Sequence, residues 1–91
     1  MTKLDGQVAI ITGGAQGIGE GASEVFCQAG AKVVIWDVLD GQPTAARITE
    51  QGGEIFFQKV DITQRSQVET AVADIMTRFG RIDILINNAG I

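Results

Sequence analysis

The chain contains no tyrosine and no histidine. Those side chains carry much of the proton transfer that enzymes perform near neutral pH, so these 91 residues are poorly equipped for acid–base chemistry of their own. Cysteine occurs once, as Cys27, which excludes an internal disulfide and fits a reducing compartment. No apolar run approaches the ~20 residues that span a bilayer. The opening Met1-Thr2-Lys3-Leu4-Asp5-Gly6 puts an acid and a glycine where a signal peptide needs an apolar core. A cytoplasmic location, with no membrane partner, is therefore expected. Positive charge is also scarce. Seven basic residues are scattered among eleven acidic ones, for a net charge of −4, which leaves no footprint for nucleic acid.

What is present is an ordinary α/β composition, 45% hydrophobic and 20% charged, with twelve glycines and one proline. The length allows one domain, which at this size buries only about 60–65% of its unfolded surface. Val8 to Thr12 is a short β-branched apolar run, the mark of a parallel strand covered on both faces. From Ile18, apolar residues recur at Ala22, Val25, Phe26 and Ala29, a helical stripe that Gly30 stops. Gly21 interrupts that helix, and close packing on the sheet is the expected compensation. Lys32 to Trp36 predicts a second strand ending in Asp37, with Trp36 packed beside it; stacking on a bound base is the alternative for this indole. Asp40, Gly41 and Pro43 open a second helix that reaches Gly52-Gly53, and Ile55 to Val60 follows as a third strand. Thr63 is the predicted cap of a third helix, whose stripe runs Val68, Ala71, Val72, Ile75, Met76, Phe79 and stops at Gly80. Ile82 to Ile86 is the fourth strand.

The order βαβαβαβ, with connections too long for hairpins, specifies a doubly wound parallel sheet of the Rossmann type. The expected strand order is 3-2-1-4, which opens a crevice at the C-terminal ends of strands 1 and 4. The sheet is incomplete. Its fourth strand would be an uncovered apolar edge, so the isolated chain is expected to self-associate, to pack on the rest of its parent, or to be only marginally folded. Glu20 and Glu24 read as solvated surface, and Cys27 as a small packing residue.

Three features at separate positions point to one ligand. Thr12-Gly13-Gly14-Ala15-Gln16-Gly17-Ile18-Gly19 joins a strand to a helix. Glycines there permit positive φ and let backbone N–H groups close on a phosphate, while the helix N-terminus adds unpaired donors. The spacing departs from Gly-x-Gly-x-x-Gly, and the lysine of a triphosphate loop is absent; a plain tight turn is the other reading. Asp37 ends strand 2, where a carboxylate accepts from a ribose diol and repels a 2′-phosphate. Val38 follows it with no basic residue beside it, a pattern that favours NAD over NADP; the alternative is a solvated turn aspartate. Asp61 could accept from the adenine amino group with Ile62 against the ring, and it reads equally well as a turn residue before Thr63. Asn87-Asn88-Ala89-Gly90 closes strand 4 with small residues and with amides able to bridge strand ends.

Together these segments resemble the short-chain dehydrogenase/reductase family, and the resemblance covers essentially the whole chain. It implies that Gly13, Gln16, Gly17, Ile18 and Gly19 line the cofactor pyrophosphate side, with Gln16 standing where NADP-preferring members often carry a basic residue. It also implies that Asp37 and Val38 meet the adenosine ribose, Asp61 and Ile62 the adenine, and Asn88, Ala89 and Gly90 the nicotinamide ribose. The implied activity is NAD-dependent interconversion of a small-molecule secondary alcohol and ketone, 3-oxoacyl thioesters included, in a homo-oligomer. The family's serine and Tyr-x-x-x-Lys pair have no counterpart in these residues, so the chain reads as the N-terminal part of such an enzyme. A non-catalytic dinucleotide-binding or structural fragment is the alternative. An S-adenosylmethionine domain fits less well, because of the Asn-Asn-Ala-Gly segment.

Overall fold

The computed structural model describes residues 3–88. β1 (Val8–Thr12) is buried at every position and lies inside the sheet, which is why its sequence shows no polar alternation. α1 (Gly17–Gln28) leads to β2 (Lys32–Asp37), α2 (Gln42–Glu50) to β3 (Glu54–Lys59), and α3 (Arg65–Phe79) to β4 (Ile84–Ile86). All pairings are parallel, in the order β3-β2-β1-β4, with Thr12 opposite Trp36 and Ile10 opposite Leu85. The expected Rossmann-type order is the one found.

Strand alternation divides the core between two faces. Val8, Ile10, Val34 and Trp36 meet Val60, Ala71 and Ile75 on the side that α3 covers. Ile11, Val33 and Ile35 meet Ala45, Ile48 and Ile55, with Ala22 and Phe26 of α1 beside them. The Trp36 indole is buried in the first of these cores and donates to Gln58 Oε1 at 2.7 Å, so it is committed to the sheet and not to a stacked base. β4 is an edge strand, and Leu85 on it is 60% exposed.

α1 does not present the face its apolar residues suggest. Ile18 and Val25 are exposed, and the fully covered positions are Gly19 and Ser23. The helix is turned so that Gly19 and Ser23 face inward beside Ala22 and Phe26, with Gly19 against the carbonyl of Gly13. Ser23 resolves its burial locally by donating to the Gly19 carbonyl at 2.8 Å. Gly21 faces open space, contrary to the packing expected of it. Gly21→Ala should therefore stabilise the fold by about 0.5–1 kcal/mol through helix propensity. Urea titration checks this, and an unchanged or lower midpoint would contradict the open environment.

Two other expectations are corrected. Thr63 does not cap α3: its hydroxyl donates to Asp61 Oδ1 at 2.6 Å, and the residue before the helix is Gln64. Glu20 and Glu24 are not merely solvated, since Arg47 of α2 reaches them at 2.6 and 3.4 Å and joins the two helices. β4 also starts later than its apolar run. Ile82 packs into the core, and Asp83 meets the start of β1, its N–H donating to the Val8 carbonyl at 2.9 Å.

The Asp83 carboxylate takes a two-pronged contact from Arg81, both bonds 2.8 Å, and the Val8 N–H, also at 2.8 Å. The guanidinium first, and then the amide, hold its pKa below the ordinary 3.8. A carboxyl depressed in the folded state stabilises the fold above the unfolded pKa and loses that contribution as pH falls through the folded one. Asp83→Asn should be the less stable protein at neutral pH and should converge with the parent in acid. Denaturant midpoints across pH test this, and curves that stay parallel would sink it.

Candidate functional site

At the C-terminal end of β1 the chain turns on Gly13 and Gly17, with φ of 66° and 60°, values side-chain-bearing residues rarely adopt. Gly13 donates its N–H to the Trp36 carbonyl at 2.7 Å, which holds the loop over β2. A Cβ on Gly14 would lie 2.6 Å from Ile35 Cγ2. One on Gly19 would strike the Gly13 carbonyl and lie 2.8 Å from Asn88 Nδ2. The glycines thus let backbone approach backbone.

Gln16 precedes α1 in an extended conformation and makes no side-chain capping bond. The first bond of the helical ladder is from the Glu20 N–H to the Gln16 carbonyl, at 3.2 Å. The amides of Gly17, Ile18 and Gly19 come before it, at the positive end of the helix. This is a donor-rich end able to receive an anion.

The Asp37 carboxylate faces that loop. Oδ2 accepts the Ala15 N–H at 3.1 Å and Oδ1 accepts the Leu39 N–H at 3.0 Å. Each oxygen keeps further acceptor capacity. No arginine or lysine stands beside Asp37 in sequence, where Val38, Leu39 and Asp40 follow. Asp61 is half-buried, and its Oδ1 accepts both the hydroxyl and the N–H of Thr63, which lowers its pKa. That bonding pattern is a turn, one of the two readings open for Asp61 from sequence. Ile18, Val38, Leu39 and Ile62 are all exposed at this end of the sheet and supply an apolar rim.

The end of β4 is stitched to the end of β1. Asn88 donates its N–H to Thr12 Oγ1 at 2.8 Å and its side-chain amide to the Gly13 carbonyl at 3.3 Å. The Thr12 hydroxyl in turn lies 3.3 Å from the Ile86 carbonyl and from Asn87 Oδ1. Ala89 and Gly90 lie outside the described residues. Gly13, Gln16, Gly17, Ile18, Gly19, Asp37 and Asn88 thus lie together at the C-terminal ends of β1, β2 and β4, with Val38, Asp61 and Ile62 at the ends of the neighbouring strands. Thr44 joins them unannounced by any motif: from α2 its hydroxyl donates to the Ala15 carbonyl at 2.8 Å.

Donors and one carboxylate converge, without a histidine or tyrosine to move a proton. The Cys27 thiol, pushed up to about 11 by burial and then by the Glu54 charge, is no nucleophile at neutral pH.

The model of the short chain dehydrogenase family matches residues 7–91. The chain belongs to this family. Among curated short-chain dehydrogenases and reductases it is 45% identical over 91 residues to a mitochondrial borneol dehydrogenase of Lavandula x intermedia, covering all of this chain and 34% of the relative. It is 40% identical over 90 residues to a 3-oxoacyl-acyl-carrier-protein reductase of Chlamydia pneumoniae, covering 97% of this chain and 36% of that one. A solved hydroxysteroid dehydrogenase from Escherichia coli superposes with a TM-score of 0.92 at 37% identity, over 97% of this chain and 38% of the other. The chain spans about a third of the length of the curated relatives it matches.

Proposed function

We propose that this chain is the N-terminal, cofactor-binding part of an NAD-dependent oxidoreductase that moves hydride between the nicotinamide ring and a secondary alcohol or ketone. The observation that carries the reading is the bond from the Ala15 amide to Asp37 Oδ2. It puts a carboxylate beside the loop whose amides suit a diphosphate, the pairing that a dinucleotide-binding turn uses.

The residues fit the cofactor. Gly13, Gly17, Ile18 and Gly19 present the pyrophosphate with backbone donors, in a cradle where a Cβ at Gly19 would displace the Gly13 carbonyl. Asp37 accepts from the adenosine ribose diol, with Val38 beside it. Its charge, unopposed by Gln16 or by any basic residue next in sequence, disfavours a 2′-phosphate and sets NAD above NADP. Asp61 and Ile62 border the adenine, and Asn88, Ala89 and Gly90 the nicotinamide ribose. The bound nicotinamide supplies the hydride chemistry. This chain's residues bind and orient it, and the proton-transfer groups must come from elsewhere in the protein.

Dehydrogenases and reductases among the relatives support the reaction class, a 3-oxoacyl thioester reductase included. A cytoplasmic protein assembled as a homo-oligomer completes the proposal; no described helix is long and apolar enough to cross a membrane. A second reading, a non-catalytic dinucleotide-binding module, applies if these 91 residues, which lack tyrosine, are the whole protein. Calorimetric titration of the intact gene product with NADH and NADPH tests the first claim, and failure to bind either overturns it. Oxidation of bound NADH by ketones then separates enzyme from module.

A further inference from the structure

The loop between β1 and α1 has few side chains with which to hold its own shape. Of Gly13 to Gly17 only Ala15 and Gln16 carry a Cβ, and Gln16 makes no capping bond. Its central residue, Ala15, is instead held from two directions by other elements. The N–H is taken by Asp37 at the end of β2, at 3.1 Å. The carbonyl is taken by the Thr44 hydroxyl on α2, at 2.8 Å.

Thr44 is 7% exposed. A helical threonine commonly turns its hydroxyl back to a carbonyl of its own preceding turn. This one reaches across to the loop. Its platform is firm: Ile48, one turn on, is buried in the core, and Arg47 ties α2 to Glu20 at 2.6 Å. Gly41 at the helix start is seated on the Phe57 ring, where a Cβ would lie 2.5 Å from Cδ1.

We propose that Thr44 is a positioning residue that steadies the Asp37 carboxylate through the two peptide planes flanking Ala15, and thereby helps determine the choice between NAD and NADP. The proposal rests on the nucleotide reading above. The Ala15 N–H and carbonyl lie in successive peptide planes that meet at its Cα, so anchoring one on Asp37 Oδ2 and the other on Thr44 restrains both dihedrals of the residue, while the Leu39 N–H holds Oδ1 at 3.0 Å. The carboxylate is then oriented before a ribose arrives, and binding need not order it. Without the hydroxyl, the peptide plane between Ala15 and Gln16 is released, Ala15 gains freedom in both dihedrals, and the donor on Asp37 Oδ2 is held less firmly.

The test is calorimetric titration of the intact gene product and of Thr44→Val, Thr44→Ala and Thr44→Ser with NADH and NADPH, alongside thermal melts. Thr44→Val keeps the shape and Thr44→Ala favours the helix, so at least one of them should fold. Both should weaken NADH binding by about five- to tenfold and narrow the NADH-to-NADPH ratio. Thr44→Ser should restore both quantities to within about twofold, in keeping with the retained hydroxyl. A folded Val or Ala variant with parental affinity and ratio overturns the proposal while leaving the nucleotide reading intact. A lower melting point with an unchanged ratio also overturns it, because that is what a purely structural hydroxyl would give. Parent protein that binds neither cofactor removes the reading and the proposal together.

Discussion

Replacing Asp37 by alanine should weaken NADH binding by at least about tenfold and bring NADPH level with it or ahead. Two effects act together. The ribose diol loses a charged acceptor, worth about 1.5–3 kcal/mol for a charge-assisted hydrogen bond. The 2′-phosphate loses a like charge at contact distance, which helps NADPH alone. The amides of Ala15 and Leu39 also lose their acceptors, at 3.1 and 3.0 Å, so part of the loss is a looser loop. Asp37→Asn separates the contributions, since it keeps an oxygen acceptor and removes the charge. It should recover NADPH affinity while losing less NADH affinity than Asp37→Ala. Calorimetric titration of both variants with both cofactors reads this directly. Equal affinities for NADH and NADPH in the parent protein would remove the ribose–carboxylate argument.

Gly19→Ala is expected to be the most damaging small change in α1. The added methyl group meets the Gly13 carbonyl, a backbone atom that cannot swing aside, with Asn88 Nδ2 2.8 Å away. Overpacking of this kind costs about 3 kcal/mol, at the upper end for a single added carbon in a packed site. It should also separate the helix N-terminus from the loop and cut NADH affinity by more than about tenfold, at about 1.4 kcal/mol per factor of ten. Two neighbouring glycines provide the controls. Gly17→Ala meets open space but inherits a φ of 60°, so a loss of about 1–2 kcal/mol from backbone strain is expected. Gly21→Ala, with neither clash nor strain, should stabilise. If denaturant melts gave the three the same sign and size, the packing account of α1 would be wrong.

The strands, the helices and their order were legible because each rests on local physics. A continuous β-branched run such as Val8 to Thr12 has no stable place except inside a parallel sheet. Gly30 and Gly80, with φ of 96° and 76°, end their helices in conformations that other residues resist. The return of β4 beside β1 was legible too, and it brings Asn88 to Thr12 and Gly13. Candidate site residues stood out where their chemistry is bound to a motif, as with the glycine loop and Asp37.

What the chain alone determined is where backbone turns, which segments are strands or helices, and that the glycine loop and Asp37 stand together at the C-terminal ends of β1 and β2. Tertiary structure decided how each helix is phased against the sheet and which polar groups meet across elements. The rotation of α1 onto Gly19 and Ser23, the Arg47 contacts to Glu20 and Glu24, and the reach of Thr44 to Ala15 belong to that second class. Periodicity measures how often a residue faces inward, whereas phase is set by the closest backbone approach. That approach depends on atoms far apart in the chain.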